Sequence, residues 1–71
     1  MRTLKELRQA ARLTQLEVAM RLGVTPGTVY AWERGTREPR GRQLQGLAKL
    51  YGVSADDIWL PERGIEGKAA A

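Results

Sequence analysis

Residues 13–39 read LTQLEVAMRLGVTPGTVYAWERGTREP, and this stretch decides the fold. Thr14-Gln15-Leu16-Glu17 has the form of a capping box. In that arrangement the threonine hydroxyl accepts from one unpaired backbone N–H of a helix start, and the glutamate reaches back to another. Val18, Ala19 and Leu22 then fall on one helical face. Gly23 stands where a helix ends in a left-handed residue, a conformation open to glycine without steric cost. Only Val24 separates it from a second start. Thr25 is suited to cap that helix, and Pro26 falls at its first position, where the missing N–H is not needed. Val29 and Trp32 share an inward face, and Gly35 ends the segment. The pattern predicts helices over about 14–23 and 25–34 that cross closely at the small Ala19.

Upstream, Leu4, Leu7 and Ala11 recur at helical spacing behind Thr3, which predicts a helix over about 3–12. Downstream, Thr36 to Pro39 read as a polar loop. A fourth helix is expected over about 40–51, with Leu44, Leu47, Ala48 and Tyr51 on one face and Gly52 closing it. A short fifth helix is expected over 54–60. Ser54 caps it, and Asp56 and Asp57 occupy the first turn, where the helix dipole favours acids. Ile58, Trp59 and Leu60 follow, and Pro61 stops it. No segment alternates apolar and polar residues for long, so no strand is expected. The reading is an all-α, compact five-helix domain over residues 1–61, with 62–71 (ERGIEGKAAA) as a flexible tail.

The bulk numbers narrow the function classes. A chain of 71 residues makes one small domain, with no room for a separate ligand-sensing or protease domain. It contains no cysteine and no histidine. That removes disulfide frameworks, cysteine- or histidine-based metal sites, and catalytic triads built on imidazole or thiolate. No phosphate-binding glycine loop and no carboxylate pair suited to a pocket are evident, so neither enzyme activity nor a metal or cofactor is expected. No apolar run approaches the ~20 residues of a membrane helix, and the N-terminus lacks a secretory apolar core. A cytoplasmic protein is expected. Twelve basic against eight acidic residues leave a net charge of +4, which suits a polyanionic partner such as nucleic acid.

Two short helices joined by a glycine-containing turn form a helix-turn-helix, whose second helix projects and can enter a major groove about 12 Å wide. The unit here runs from Gln15 to Glu33. Its residues carry a resemblance. Leu13-Thr14-Gln15, Ala19, Gly23-Val24-Thr25, Val29, Trp32-Glu33-Arg34-Gly35, Pro39 and Gly52-Val53-Ser54 resemble the Cro/phage-repressor (XRE-like) type of helix-turn-helix regulator. LQGLAKLYGVSADDIWL, residues 44–60, resembles that family's last two helices, so the likeness covers about residues 3–60. It implies a lambda-repressor-like domain that binds specific double-stranded DNA sequences, regulates transcription as a repressor, and places the helix over 25–34 in the major groove.

The resemblance also assigns roles. Gln15 would contact a DNA phosphate or an outer base, and Thr25 would reach a phosphate. Pro26, Gly27, Thr28, Tyr30 and Ala31 would face the bases. Only Thr28 and Tyr30 of these carry hydrogen-bonding side chains, so modest direct readout is expected, with more weight on DNA shape. Arg34, Arg37, Arg40 and Arg42 would meet phosphates along the loop. Glu33 would pair with Arg8 as a structural ion pair. Leu16 and Met20, where the family is usually polar, would form either scattered surface apolar residues or a partner contact. Ile58, Trp59 and Leu60 include candidates for a dimer or partner surface. A homodimer is expected. The alternative is a protein-interaction module of the same fold, antitoxin-like or an adaptor, with a protein partner and weak or backbone-only DNA binding.

Overall fold

The computed structural model describes residues 2–60. Its elements are β1 (Arg2–Thr3), α1 (Leu4–Ala10), α2 (Gln15–Leu22), α3 (Pro26–Arg34), α4 (Gly41–Tyr51), a 3-10 turn (Ala55–Asp57) and β2 (Ile58–Trp59). The expected tail and the stop at Pro61 lie outside the described residues.

Local chemistry sets most helix boundaries. Thr14 and Glu17 close a reciprocal capping box on α2, with Glu17 N donating to Thr14 Oγ1 at 3.1 Å and Thr14 N to Glu17 Oε1 at 2.8 Å. Thr3 and Glu6 repeat it on α1 at 2.8 and 3.1 Å. These bonds hold the Glu6 and Glu17 carboxyls below the usual glutamate range. Gly23 ends α2 at φ 70°, and the chain turns straight into the Thr25 cap of α3. A β-branched residue at Gly23 would meet the backbone strain of the left-handed region.

The helices pack around one core of Leu4, Leu7, Val18, Ala19, Val29, Trp32, Leu47, Ala48, Ile58 and Leu60. α2 lies chiefly against α3, and α4 closes onto α2 and the 3-10 turn. The α2–α4 approach is tight at Gly46, where a Cβ would sit 2.9 Å from Leu22 Cδ2.

Three expectations need correction. The fifth helix is a single 3-10 turn that gives way to extended backbone at Ile58, with φ −88° and ψ 121°. Ile58 and Trp59 pair in parallel with Arg2 and Thr3, so a short strand pair exists where none was expected. The reason is burial: Ile58 and Leu60 are both in the core while Trp59 is 38% exposed. Residues two apart share a side in an extended chain and lie on nearly opposite sides of a helix. The loop expected over 36–39 is present, and its Pro39 is fully buried.

The first helix is shorter than the expected span over 3–12. It ends at Ala10, and Arg12 takes the left-handed conformation at φ 59°. Arg12 N and Leu13 N then donate to the Gln9 and Arg8 carbonyls at 3.0 and 3.1 Å. A non-glycine residue in that region carries a cost of about 1–2 kcal/mol, partly offset for glycine by its larger unfolded-state entropy. Arg12→Gly is therefore expected to stabilise the domain by about 0.5 kcal/mol. A thermal melt that shifts down instead would show that the arginine side chain contributes more than its backbone strain removes.

Candidate nucleic-acid interface

α3 is built as a projecting helix. Val29 and Trp32 bury its inner face, while Pro26, Gly27 and Tyr30 are exposed and Thr28 and Ala31 are half-buried. At its start, Thr25 Oγ1 accepts from Thr28 N at 3.2 Å and shares a 3.0 Å bond with the Thr28 hydroxyl. The two hydroxyls on the leading end of the helix thus hold one another. No acid occupies the first turn of α3.

The other end of α3 is tied down by charge. Arg8 on α1 donates from Nε to Glu33 Oε2 at 2.6 Å and from Nη2 to Oε1 at 3.3 Å. Its Nη1 donates to the Leu13 carbonyl at 2.9 Å. Gln15, first residue of α2, donates from Nε2 to Glu33 Oε1 at 3.1 Å. The Arg8 and Glu33 side chains are only 13% and 5% exposed. Their hydrogen bond pushes the Arg8 guanidinium further above its ordinary value, so it stays charged. Tyr51 lies near this pair. Its burial pushes the phenol up to about 12, the Glu33 carboxylate adds to the rise and Arg8 opposes it. A phenol raised in the folded state favours its neutral form there, so its stabilisation holds below the ordinary value of 10.0 and fades as pH climbs towards about 12.

Beside the pair opens a cleft of about 630 Å³ lined by Lys5, Arg8, Thr14, Gln15, Tyr30, Glu33 and Arg34. Gln15 and Arg34 fall here among the expected phosphate contacts. Tyr30, expected to face the bases, also lines it, and its hydroxyl accepts from Arg34 Nη1 at 3.0 Å. The Arg34 guanidinium carbon lies 5.6 Å from the Tyr30 ring centroid. Lys5 was not among the expected site residues. It precedes Arg8 by one helical turn on α1, and that spacing is the signal that places both on the same cleft.

After α3 the loop is held by the Ala31 carbonyl, which accepts from Thr36 N at 3.0 Å and Thr36 Oγ1 at 3.3 Å. Arg37, Arg40 and Arg42 stand exposed around it. Arg40 Nε is 3.7 Å from Glu38 Oε2, yet the arginine side chain is 83% exposed. The structure does not bring together the supposed partner surface. Leu16 and Met20 are 55% and 73% exposed on α2, and Trp59 is partly exposed, but Ile58 and Leu60 are core residues and leave that set. Among the described residues no helix is long and apolar enough to cross a membrane.

A helix-turn-helix family model matches residues 4–58, from the first residue of α1 into β2. The chain belongs to the helix-turn-helix family. Within it, the resemblance is to phage-repressor (XRE-type) regulators. Over 55 residues the chain is 42% identical to the cryptic phage CTXphi transcriptional repressor RstR of Vibrio cholerae, covering 78% of this chain and 50% of the repressor. It is 37% identical over 59 residues to an uncharacterised HTH-type transcriptional regulator of Methanocaldococcus jannaschii, covering 83% and 89% of the two. The HTH-type transcriptional regulator ImmR of Bacillus subtilis is 42% identical over 53 residues, covering 75% of this chain and 42% of ImmR. No solved structure gives a significant match. The chain thus spans half the length of RstR. As a helix-turn-helix protein it carries the cleft, the projecting helix and the arginine loop inside the matched region.

Proposed function

We propose that the protein is a sequence-specific double-stranded-DNA-binding transcriptional regulator that acts as a repressor, with α3 in the major groove. One observation carries the reading. Among the described residues α3 projects an uncovered outer face whose flanking surfaces are cationic: Lys5 and Arg34 at the cleft, Arg37, Arg40 and Arg42 after it. Phosphate contacts of this kind fix a helix in the groove, while base edges and DNA shape supply the specificity. The two relatives named as repressor and regulator, RstR and ImmR, fit the same role. The protein acts by binding rather than catalysis, inside the cell, as a homodimer on half-sites about one helical turn (~34 Å) apart.

Selection of random duplexes at two salt concentrations, followed by sequencing, tests this. An enriched motif with paired half-sites supports a dimeric sequence reader. Absence of binding at low salt removes the proposal. The second reading, a protein-interaction module, draws on Leu16 and Met20, whose exposed apolar side chains sit four residues apart on α2. Binding through them would be nearly insensitive to salt, whereas DNA affinity falls steeply with it.

Gly27 offers a sharper local test. A Cβ there meets only Thr25 Oγ1 at 3.8 Å, an ordinary contact, so the free protein has room for a side chain. Gly27→Ala is expected to stabilise the helix by about 0.5–1 kcal/mol. The same methyl group would intrude on a groove wall packed against α3, so DNA affinity is expected to fall as the melting temperature rises. Unchanged affinity would show that the helix start stands off the bases.

A further inference from the structure

A second groove lies between α2 and α4, at the opposite end of α2 from the cleft. It encloses about 440 Å³ and is lined by Arg21 and Leu22 of α2 and by Gly46, Lys49 and Leu50 of α4. No residue of α3 or of the arginine loop takes part. Gly46, Lys49 and Leu50 follow one face of α4 at i, i+3 and i+4. Gly46 lets that face approach α2, since a Cβ there would sit 2.9 Å from Leu22 Cδ2. The floor is apolar, made of Leu22 and Leu50, each only partly buried against the core. Arg21 and Lys49 stand exposed, one on each wall. Among the described residues no acid lines the groove.

The two cations are uncompensated. Among the described residues neither forms a contact ion pair. Glu17, one turn before Arg21, feels its charge, but that carboxylate already accepts from the Thr14 N–H in the capping box. An apolar floor between two cationic walls fits apolar side chains flanked by carboxylates. The fitting ligand is a helix. Both walls are helices whose backbone groups bond within themselves, so an added strand finds no edge to pair with, whereas an amphipathic helix satisfies its own backbone and needs only side-chain contacts. Nucleic acid would engage the cations and leave the leucines in water. A second copy of this chain is a poorer match. None of its described helices exposes more than one acid: Glu6 on α1, Glu17 on α2, none on α3 or α4.

We propose that the α2–α4 groove docks an acidic amphipathic helix of a partner protein, with apolar residues on Leu22 and Leu50 and carboxylates on Arg21 and Lys49. The site is separate from Leu16 and Met20, neither of which lines it. It stands apart from the DNA reading as well. Because α3 and the arginine loop take no part, the partner helix and a DNA duplex are held at the same time.

The test is a selection. Random helical peptides displayed on phage are selected on wild type and, in parallel, on the double variant Arg21→Glu/Lys49→Glu. Both substituted side chains are exposed, so the core is untouched. Peptides enriched on wild type alone should carry apolar residues three or four apart, with aspartate or glutamate beside them. The strongest, synthesised as a free peptide, should bind about tenfold more weakly to each single reversal and lose affinity as salt rises. With its acids replaced by lysine, the same peptide should ignore wild type and bind the double variant, which also shows that the variant is folded.

Peptides that enrich equally on both proteins, or that lack acids, would overturn the proposal. So would a double variant whose affinity for duplex DNA falls with a flatter salt slope, since the cations would then belong to the DNA backbone. Self-association of wild type that the double variant loses would replace the partner helix by a second copy, offering its exposed Asp56, Asp57 and Trp59, and overturn the proposal too. Peptide and duplex should bind wild type together, and displacement of one by the other would count against a groove apart from the DNA face and overturn it.

Discussion

Replacing Arg8 by alanine is expected to lower the stability of the domain by about 3 kcal/mol. Glu33, only 5% exposed, would be left with the Gln15 amide as its one remaining hydrogen-bond donor. Stranding a buried charge costs about 3–5 kcal/mol, and the lower end applies because the pair borders an open cleft that water can enter. A domain of about sixty residues has a total stability of roughly 3–9 kcal/mol. The variant should therefore be partly unfolded near room temperature. Urea denaturation followed by circular dichroism measures it. The double variant Arg8→Met/Glu33→Leu separates the pair's net worth from the penalty of breaking it. It should recover a large part of the loss, since apolar replacements of buried pairs are often neutral or better. A double variant as unstable as Arg8→Ala would mean that the bonds to Leu13 and Gln15, not the stranded charge, dominate.

The second large effect concerns binding. Replacing Arg37, Arg40 and Arg42 together by glutamine should reduce the salt slope by about three and lower affinity by up to several hundred-fold at 0.1 M salt. Each phosphate contact contributes a slope of about −0.9, or roughly a factor of eight at that salt concentration. Stability should barely change. All three side chains are exposed, and the ion pair of Arg40 with Glu38 at 3.7 Å lies at the surface, where such pairs contribute little. Because these contacts carry no base information, the selected motif should keep its sequence while binding more weakly. If affinity holds while only the slope of a non-specific duplex changes, the loop does not lie along the operator backbone.

These two predictions draw on opposite kinds of information. The arginine loop is legible as a charge cluster following a capped helix. The Arg8–Glu33 pair joins residues twenty-five apart in the chain, and only the family resemblance pointed to it. Its exact partners were not legible. That Gln15 donates to Glu33 depends on how α2 crosses α3. Tyr30 shows the same limit. The family resemblance implies a base-facing side chain there, and Tyr30 is 49% exposed. The side chain nevertheless reaches Arg34 one turn on, a contact set by rotamer and not by spacing alone.

The sequence by itself determined the helix starts and the turn that joins α2 to α3. Threonine caps, Glu17, Pro26 and Gly23 act on backbone groups within a few residues, so their effect is local and readable. It also determined the charge excess and the absence of imidazole and thiol chemistry. The tertiary structure alone decided the path of residues 54–60. Ser54 to Leu60 can start a helix as well as a strand, and burial of Ile58 and Leu60 beside β1 selected the strand. It likewise decided that Lys5 belongs to the cleft, because three helices must be packed before their side chains share one space. Interactions between neighbours in sequence survive in any fold that keeps them adjacent, whereas a shared cleft exists only once the helices have crossed at particular angles.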